Sequence, residues 1–239
     1  MASPFGYLLC GTPRTASTLL CNLLSSTGVL GRPESYFREP DEVAWAKRLG
    51  VRTQGRRVRD YRDFVPAVRA AATTDNGVFA ARIMWGSLGP LVEGLPHLGG
   101  QSDVVTLERA LGPLALVHLR REDVFAQAVS WARAEQTGYW QQGDVALRPP
   151  EEDLGQMKSL VRTIVEHNAA WESWFDDQGA QPHRVNEQLV QDPRRVVDGI
   201  AACVRVDLPE AWQPASPHRR QADATNDKWA TALRAALES

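Results

Sequence analysis

Gly11-Thr12-Pro13-Arg14-Thr15-Ala16-Ser17-Thr18 stands between an unbroken apolar run, residues 5–10, and a stretch where Leu19, Leu20, Leu23 and Leu24 share one helical face. The apolar run, stopped by Gly11 and Pro13, predicts a strand buried on both faces. The leucine spacing predicts a helix that Gly28 can end. The opening unit therefore reads strand, tight loop, helix. A loop in that place aims backbone N–H groups and the positive end of a helix dipole at one point outside the carboxyl edge of a sheet. Thr15, Ser17 and Thr18 add hydroxyl donors to the amides around Ala16, and Arg14 adds a cation able to hold two oxygens at once. Together they suit a bound phosphate or sulfate. A plainer reading of the same residues makes Ser17 a helix cap and Arg14 a surface charge.

Working outward, the pattern repeats. Residues 41–49 and 61–72 predict helices, the second interrupted by Pro66. Asp75-Asn76-Gly77 predicts a turn, and residues 78–84 a strand. Residues 102–111 predict a helix closed by Gly112-Pro113, and residues 114–119 a second continuous apolar strand. Helices over 123–137 and 151–176, a short strand over 182–185, a helix over 194–204 capped by Asp192, and a final helix from about 226 complete the chain. Uninterrupted apolar strands alternating with helices indicate an α/β fold with a parallel central sheet covered on both faces. No repeat, low-complexity tract or linker divides the sequence, so residues 1–239 read as a single domain.

The chain has 239 residues, a formal charge of −2, 43% hydrophobic and 23% charged residues, which is the balance of a soluble globular protein. A near-neutral charge argues against a general nucleic-acid partner. Arginines nevertheless cluster, at 56, 57, 59 and 62, at 120 and 121, at 194 and 195, and at 219 and 220. Such clusters suit a compact anionic ligand or a solvated surface. Cys10, Cys21 and Cys203 are scattered, without a CxxC pair, which fits reduced thiols in a cytoplasm. No signal-peptide pattern or membrane-length apolar run is present, so the expected setting is cytoplasmic.

The loop is not a nucleotide triphosphatase loop. GxxxxGK[ST] is absent, and the loop has no Lys. No metal is expected, because a sulfuryl group carries less charge than a phosphoryl group, and arginine with backbone donors can stabilise the oxygen that leaves. The second apolar strand ends at Arg120-Arg121, and Ser130 follows in the third turn of the next helix. Parallel strands end on the same edge, so Arg121 can face whatever the first loop holds. Helix geometry alone does not bring Ser130 there.

Residues 7–20 resemble the 5′-phosphosulfate loop of the sulfotransferases, with Arg14 where many members have Lys. Arg121 and Ser130 match the Arg and Ser that grip the 3′-phosphate in those enzymes. More narrowly, the chain is similar to the bacterial trehalose sulfotransferase family. The matching segments, in order, are Gly31-Arg-Pro-Glu-Ser-Tyr-Phe37, Asn76-Gly-Val-Phe-Ala-Ala-Arg-Ile-Met-Trp85, Gln127-Ala-Val-Ser-Trp131 and Arg220-Gln-Ala-Asp223. The resemblance spans about residues 7–229. It implies a fold related to P-loop kinases, 3′-phosphoadenosine 5′-phosphosulfate (PAPS) as donor, and 3′-phosphoadenosine 5′-phosphate (PAP) as product. The acceptor is a hydroxyl of a sugar, glycolipid or natural product. In this reading Arg14, Thr15, Ala16, Ser17, Thr18, Arg121, Ser130 and Arg220 hold the donor. Arg82, at the family's Lys position, binds the acceptor or the transferring group or pairs structurally with a nearby acid, and Trp85, Tyr139 and Trp140 are acceptor contacts or core aromatics. The resemblance also suggests a homodimer, although no sequence stripe marks one.

The match departs at one place. The family's acidic segment supplies the base that deprotonates the acceptor, and on a gap-free match that position is Ser35, with Glu34 one residue earlier. An alcohol attacks poorly until its proton leaves, so a nearby carboxylate or imidazole is expected. Glu34 replaces the missing carboxylate through a shift of the loop, or Glu39 or His118 supplies the base, or the acceptor is an acidic phenol or oxime. Ser35 as a disabling substitution is the remaining alternative, and it would leave a homologue that binds PAPS or PAP and is catalytically impaired.

Overall fold

The computed structural model describes residues 6–39, 41–55, 57–58, 60–96, 101–140, 144–186, 188–214 and 224–238. Arg220, with Arg56, Arg59 and Arg219, lies outside the described residues, as does Phe5 at the start of the predicted first strand.

Strand β1 (Gly6–Gly11) is buried along its whole length. It pairs in parallel with β4 (Phe79–Met84) on one side and β5 (Leu114–Leu119) on the other, and β6 (His183–Val185) adds to β5 in parallel. The order β4-β1-β5-β6 puts the apolar opening strand in the middle, where both faces need cover. Period-two alternation then sorts its side chains. Tyr7 and Leu9 meet α1 (Ser17–Ser26) and α9 (Pro193–Val204) through Leu20, Leu24, Val197 and Ile200. Leu8 and Cys10 meet α3 (Tyr61–Ala72), α4 (Trp85–Gly94), α5 (Asp103–Leu111) and α7 (Leu154–Asp177) through Phe64, Leu91, Leu107, Trp171 and Phe175. A third cluster joins α6 (Val124–Thr137) and α7 to α10 (Ala224–Glu238) by Val129, Met157, Ile164, Trp229 and Leu233. The predicted α/β fold with a parallel central sheet is thus the one observed.

Element ends follow side-chain chemistry. Asp60, Ser102, Asp123, Asp153 and Asp192 each cap the helix that follows by accepting a backbone N–H. Asp153 explains why α7 starts at Leu154 and not at 151. Helix α3 runs through Pro66 because Phe64, Val65, Val68 and Ala72 bury one face. Four elements lacked a sequence expectation: the antiparallel pair β2 (Thr53–Gln54) and β3 (Arg57–Val58), the short α8 (Gln188–Gln191), and α4. The Gly- and Pro-rich sequence of α4 reads as a loop, and burial of Leu88 and Leu91 holds it helical. The remaining helix, α2 (Asp41–Arg48), lies where it was expected.

Candidate active site

The loop after β1 is shaped by close approach and by backbone handedness. A Cβ on Gly11 would lie 2.7 Å from the Leu119 carbonyl oxygen, so only glycine lets β1 end this near β5. Arg14 and Ala16 both take positive φ, 68° and 62°, a left-handed conformation unfavourable by roughly 1–2 kcal/mol for each residue. Left-handed residues interleaved with others turn successive N–H groups to one side, forming an anion-binding nest. Ala16 is the residue that precedes α1, and no side chain caps the helix. Its first-turn N–H groups are therefore left for a ligand. Ser17 is not a helix cap, which removes the plainer reading of that residue.

The loop is anchored from behind. Gln127, fully buried on α6, donates through Nε2 to Thr12 Oγ1 at 2.8 Å and to the Pro13 carbonyl at 2.7 Å. Trp171 donates to the Gly11 carbonyl at 3.0 Å, and Thr15 to the Thr12 carbonyl at 3.0 Å. Gln127 entered the sequence reading only as part of a matched segment. Its spacing four residues after Asp123 gives no hint of a loop 114 positions earlier.

Two basic elements meet at the loop. Arg14 Nε donates to Ser130 Oγ at 2.9 Å, and its NH1 donates to the Trp140 carbonyl. The Trp140 amide in turn donates to Asp144 at 2.8 Å. Burial lowers the pKa of Arg14, nearby Arg121 lowers it further, and Asp144 and Tyr139 oppose the shift. Arg121 also lines a cavity of about 170 Å³ with Asp123, Asn226 and Arg234, between the start of α6 and α10. The structure thus brings Arg14, Ser130, Arg121, Tyr139 and Trp140 together.

On the other side of the loop stands Arg82. Its Nε donates to Ser35 Oγ at 2.8 Å, and its NH1 to Thr18 Oγ1 at 3.0 Å and Ser17 Oγ at 3.2 Å. The Arg82 amide donates to the Glu34 carbonyl at 3.0 Å, which fixes the 34–35 segment beside β4. Ser35 is buried and Glu34 half-buried. Among the described residues the Glu34 carboxylate makes no hydrogen bond or ion pair. Burial raises its pKa, Arg82 opposes that, Asp41 adds to it, and Arg48 opposes it. A carboxylate beside the cradle with a raised pKa and vacant lone pairs is chemically a proton acceptor.

The other sequence candidates lie elsewhere. His118 pairs in register with Cys10 and packs tilted against Phe175, 5.1 Å between ring centres, on the sheet face opposite Arg82. Burial pushes its pKa down to about 4 against the pull of Glu172. Glu39 sits in an exposed turn. Trp85 packs edge-to-face on Trp171, 5.1 Å between ring centres, in the same layer as Phe175, so it does not join Arg82.

With this geometry in view, the comparisons are specific. The family model described as Stf0 sulphotransferase matches residues 6–236. The trehalose 2-sulfotransferase of Mycolicibacterium smegmatis is 27% identical, over 95% of this chain and 93% of that protein. The trehalose 2-sulfotransferase of Mycobacterium tuberculosis is 26% identical, over 96% and 94%. The sulfotransferase domain of the Synechococcus PCC 7002 olefin synthase aligns over 100% of this chain and 96% of its own, at 15% identity and a TM-score of 0.45.

Proposed function

The chain belongs to the Stf0 sulphotransferase family, and from that premise we propose that it transfers a sulfuryl group from PAPS to a hydroxyl of a small-molecule acceptor, releasing PAP. The observation that carries this reading is the bond between Arg14 and Ser130, which ties an uncapped helix N-terminus to a second basic element and makes a cradle for two anions. Arg14 and the loop amides of residues 14–18 hold the sulfate end of the donor. Arg121 and Ser130 hold the 3′-phosphate, together with Arg220 on the resemblance.

Glu34 takes the proton of the acceptor hydroxyl. The acceptor oxygen forms a bond to sulfur as the bond from sulfur to the bridging phosphate oxygen breaks, and PAP leaves with that electron pair. Arg14 and the fixed N–H groups stabilise the charge growing on the leaving oxygen, where preorganised donors act most strongly. A raised carboxyl pKa makes Glu34 a stronger base than a solvated carboxylate. Trp140, half-open beside Arg14, is an acceptor contact in this reading. Trehalose, the acceptor named for the relatives, is the first to test, but Ser35 changes the acidic segment and the acceptor class stays open to sugars, glycolipids and natural products.

The test is calorimetric titration with PAP and with ATP, followed by sulfate transfer assays on sugars, phenols and lipids. PAP binding with transfer to one acceptor class is expected. ATP binding without PAP binding overturns the proposal, and PAP binding without transfer across the panel favours a binding homologue impaired at Ser35. No helix among the described residues is long and apolar enough to cross a membrane.

A further inference from the structure

Arg82 is a guanidinium whose hydrogen bonds go to three hydroxyls, those of Ser35, Ser17 and Thr18. No carboxylate pairs with it among the described residues. It faces the N-terminal turn of α1, which is itself the positive end of a dipole. A cation beside a positive helix end is unfavourable unless an anion is shared between them. The hydroxyls add to this logic. Each spends a lone pair on the guanidinium, so its own O–H proton turns away and is polarised as a donor.

We propose that Ser35 is a positioning residue. Its hydroxyl accepts from Nε and aims the other arm of Arg82 at Ser17 and Thr18, and being uncharged it leaves the cation free for the sulfuryl group as negative charge shifts onto the departing side. A carboxylate at position 35 would form a bidentate pair with Arg82 and neutralise it. The serine is then a built part of this site, and the proton-accepting role belongs to Glu34 alone. This inference rests on the proposed sulfuryl transfer and goes beyond it by giving Ser35 and Arg82 separate tasks.

The experiment is a double-mutant cycle with Ser35→Ala and Arg82→Ala, joined by Ser35→Thr and Ser35→Glu. It is read both as turnover with PAPS and as affinity for inorganic sulfate, which needs no acceptor. Thermal melts confirm that each variant folds. Ser35→Ala is expected to lower both readouts about tenfold, the loss of one hydrogen bond to a charged group. The same change in the Arg82→Ala background is expected to shift them less than about twofold. Ser35→Thr keeps the hydroxyl and is expected to restore activity, with an unchanged acidic limb of the pH–rate profile. Ser35→Glu is expected to fall below the wild type.

Turnover of Ser35→Glu at or above the wild type overturns the inference, since the serine would then be a lost base. Equal effects of Ser35→Ala in the two backgrounds also overturn it. A wild-type chain that binds neither PAP nor sulfate refutes the functional reading itself, and that outcome is distinct from both.

Discussion

Arg14 Nε and Ser130 Oγ lie 2.9 Å apart although 116 positions separate them in the chain. This contact ties the loop after β1 to the middle of α6, the helix that follows Arg121. Arg14→Ala is expected to lower turnover by about two decades, the effect of removing one preorganised donor from a developing oxyanion, with a smaller change in donor KM. Ser130→Ala is expected to weaken PAP binding roughly tenfold, as for one charge-assisted hydrogen bond. Steady-state kinetics and calorimetry check the pair. An Arg14→Ala rate within threefold of the wild type removes Arg14 from its role.

Glu34 joins activity to pH. Its pKa is raised by burial, and in the proposed transfer it must be ionised to take the acceptor's proton, so turnover is expected to fall as pH drops through a value above the ordinary 4.5 of a glutamate. Glu34→Gln should remove that acidic limb and lower the rate by roughly 10²- to 10⁴-fold. The linkage has the opposite sign for stability. A carboxyl raised in the folded state holds its proton more tightly there, so its contribution is present at low pH and is lost as pH rises through the folded pKa. Glu34→Gln is therefore expected to raise Tm at neutral pH while turnover falls.

His118 links acid to unfolding. Its folded pKa is pushed down to about 4 from 6.5. Among the described residues neither ring nitrogen has a hydrogen-bond partner, although Glu172, held by Arg184, lies 3.4 Å from Nδ1. Between these pH values the unfolded chain binds the extra proton, so stability falls as pH drops from about 6.5 toward 4. The loss approaches ~3 kcal/mol, at 1.36 kcal/mol per pKa unit. Urea melts across that range should show the slope, and His118→Leu should flatten it. Glu172 is depressed mainly by its hydrogen bonds from Arg184, so its own loss comes at lower pH.

Gln127 tests the loop's anchor. Its Nε2 satisfies Thr12 and Pro13, and a carboxylate there cannot donate to the Pro13 carbonyl. Gln127→Glu is expected to weaken PAP binding at least about tenfold and to lower Tm, since leaving a buried polar group unpaired costs about 1–3 kcal/mol. Unchanged PAP affinity would show that the cradle holds its shape without this contact.

Much of this was legible in the sequence. Apolar runs gave β1 and β5, the turn at Asp75-Asn76-Gly77 marked the start of β4, and caps such as Asp192 with Pro193 gave helix starts. The anion loop announced itself by its place between a strand and a leucine face. The α4 helix was not legible, because Gly86, Gly89 and Pro90 signal a loop and only burial of Leu88 and Leu91 overrides that local preference. His118 read as one alternative base because an imidazole can take the acceptor's proton. Period-two alternation decides its face, and the face became meaningful only once α7 was seen to cover it.

The sequence by itself determined an α/β chain with a strand-to-helix loop at Thr12–Thr18 that carries an arginine and several hydroxyls, since apolar period and loop composition are local properties. The tertiary structure decided which distant residues complete the site. It set Ser130 against Arg14, Gln127 behind Thr12, and Arg82 between Ser35 and the start of α1. Those contacts depend on strand order and register, which fix what meets at one sheet edge and which no local pattern encodes. The loop's handedness also came from the fold, because packing holds Arg14 and Ala16 in a conformation that neither residue prefers alone.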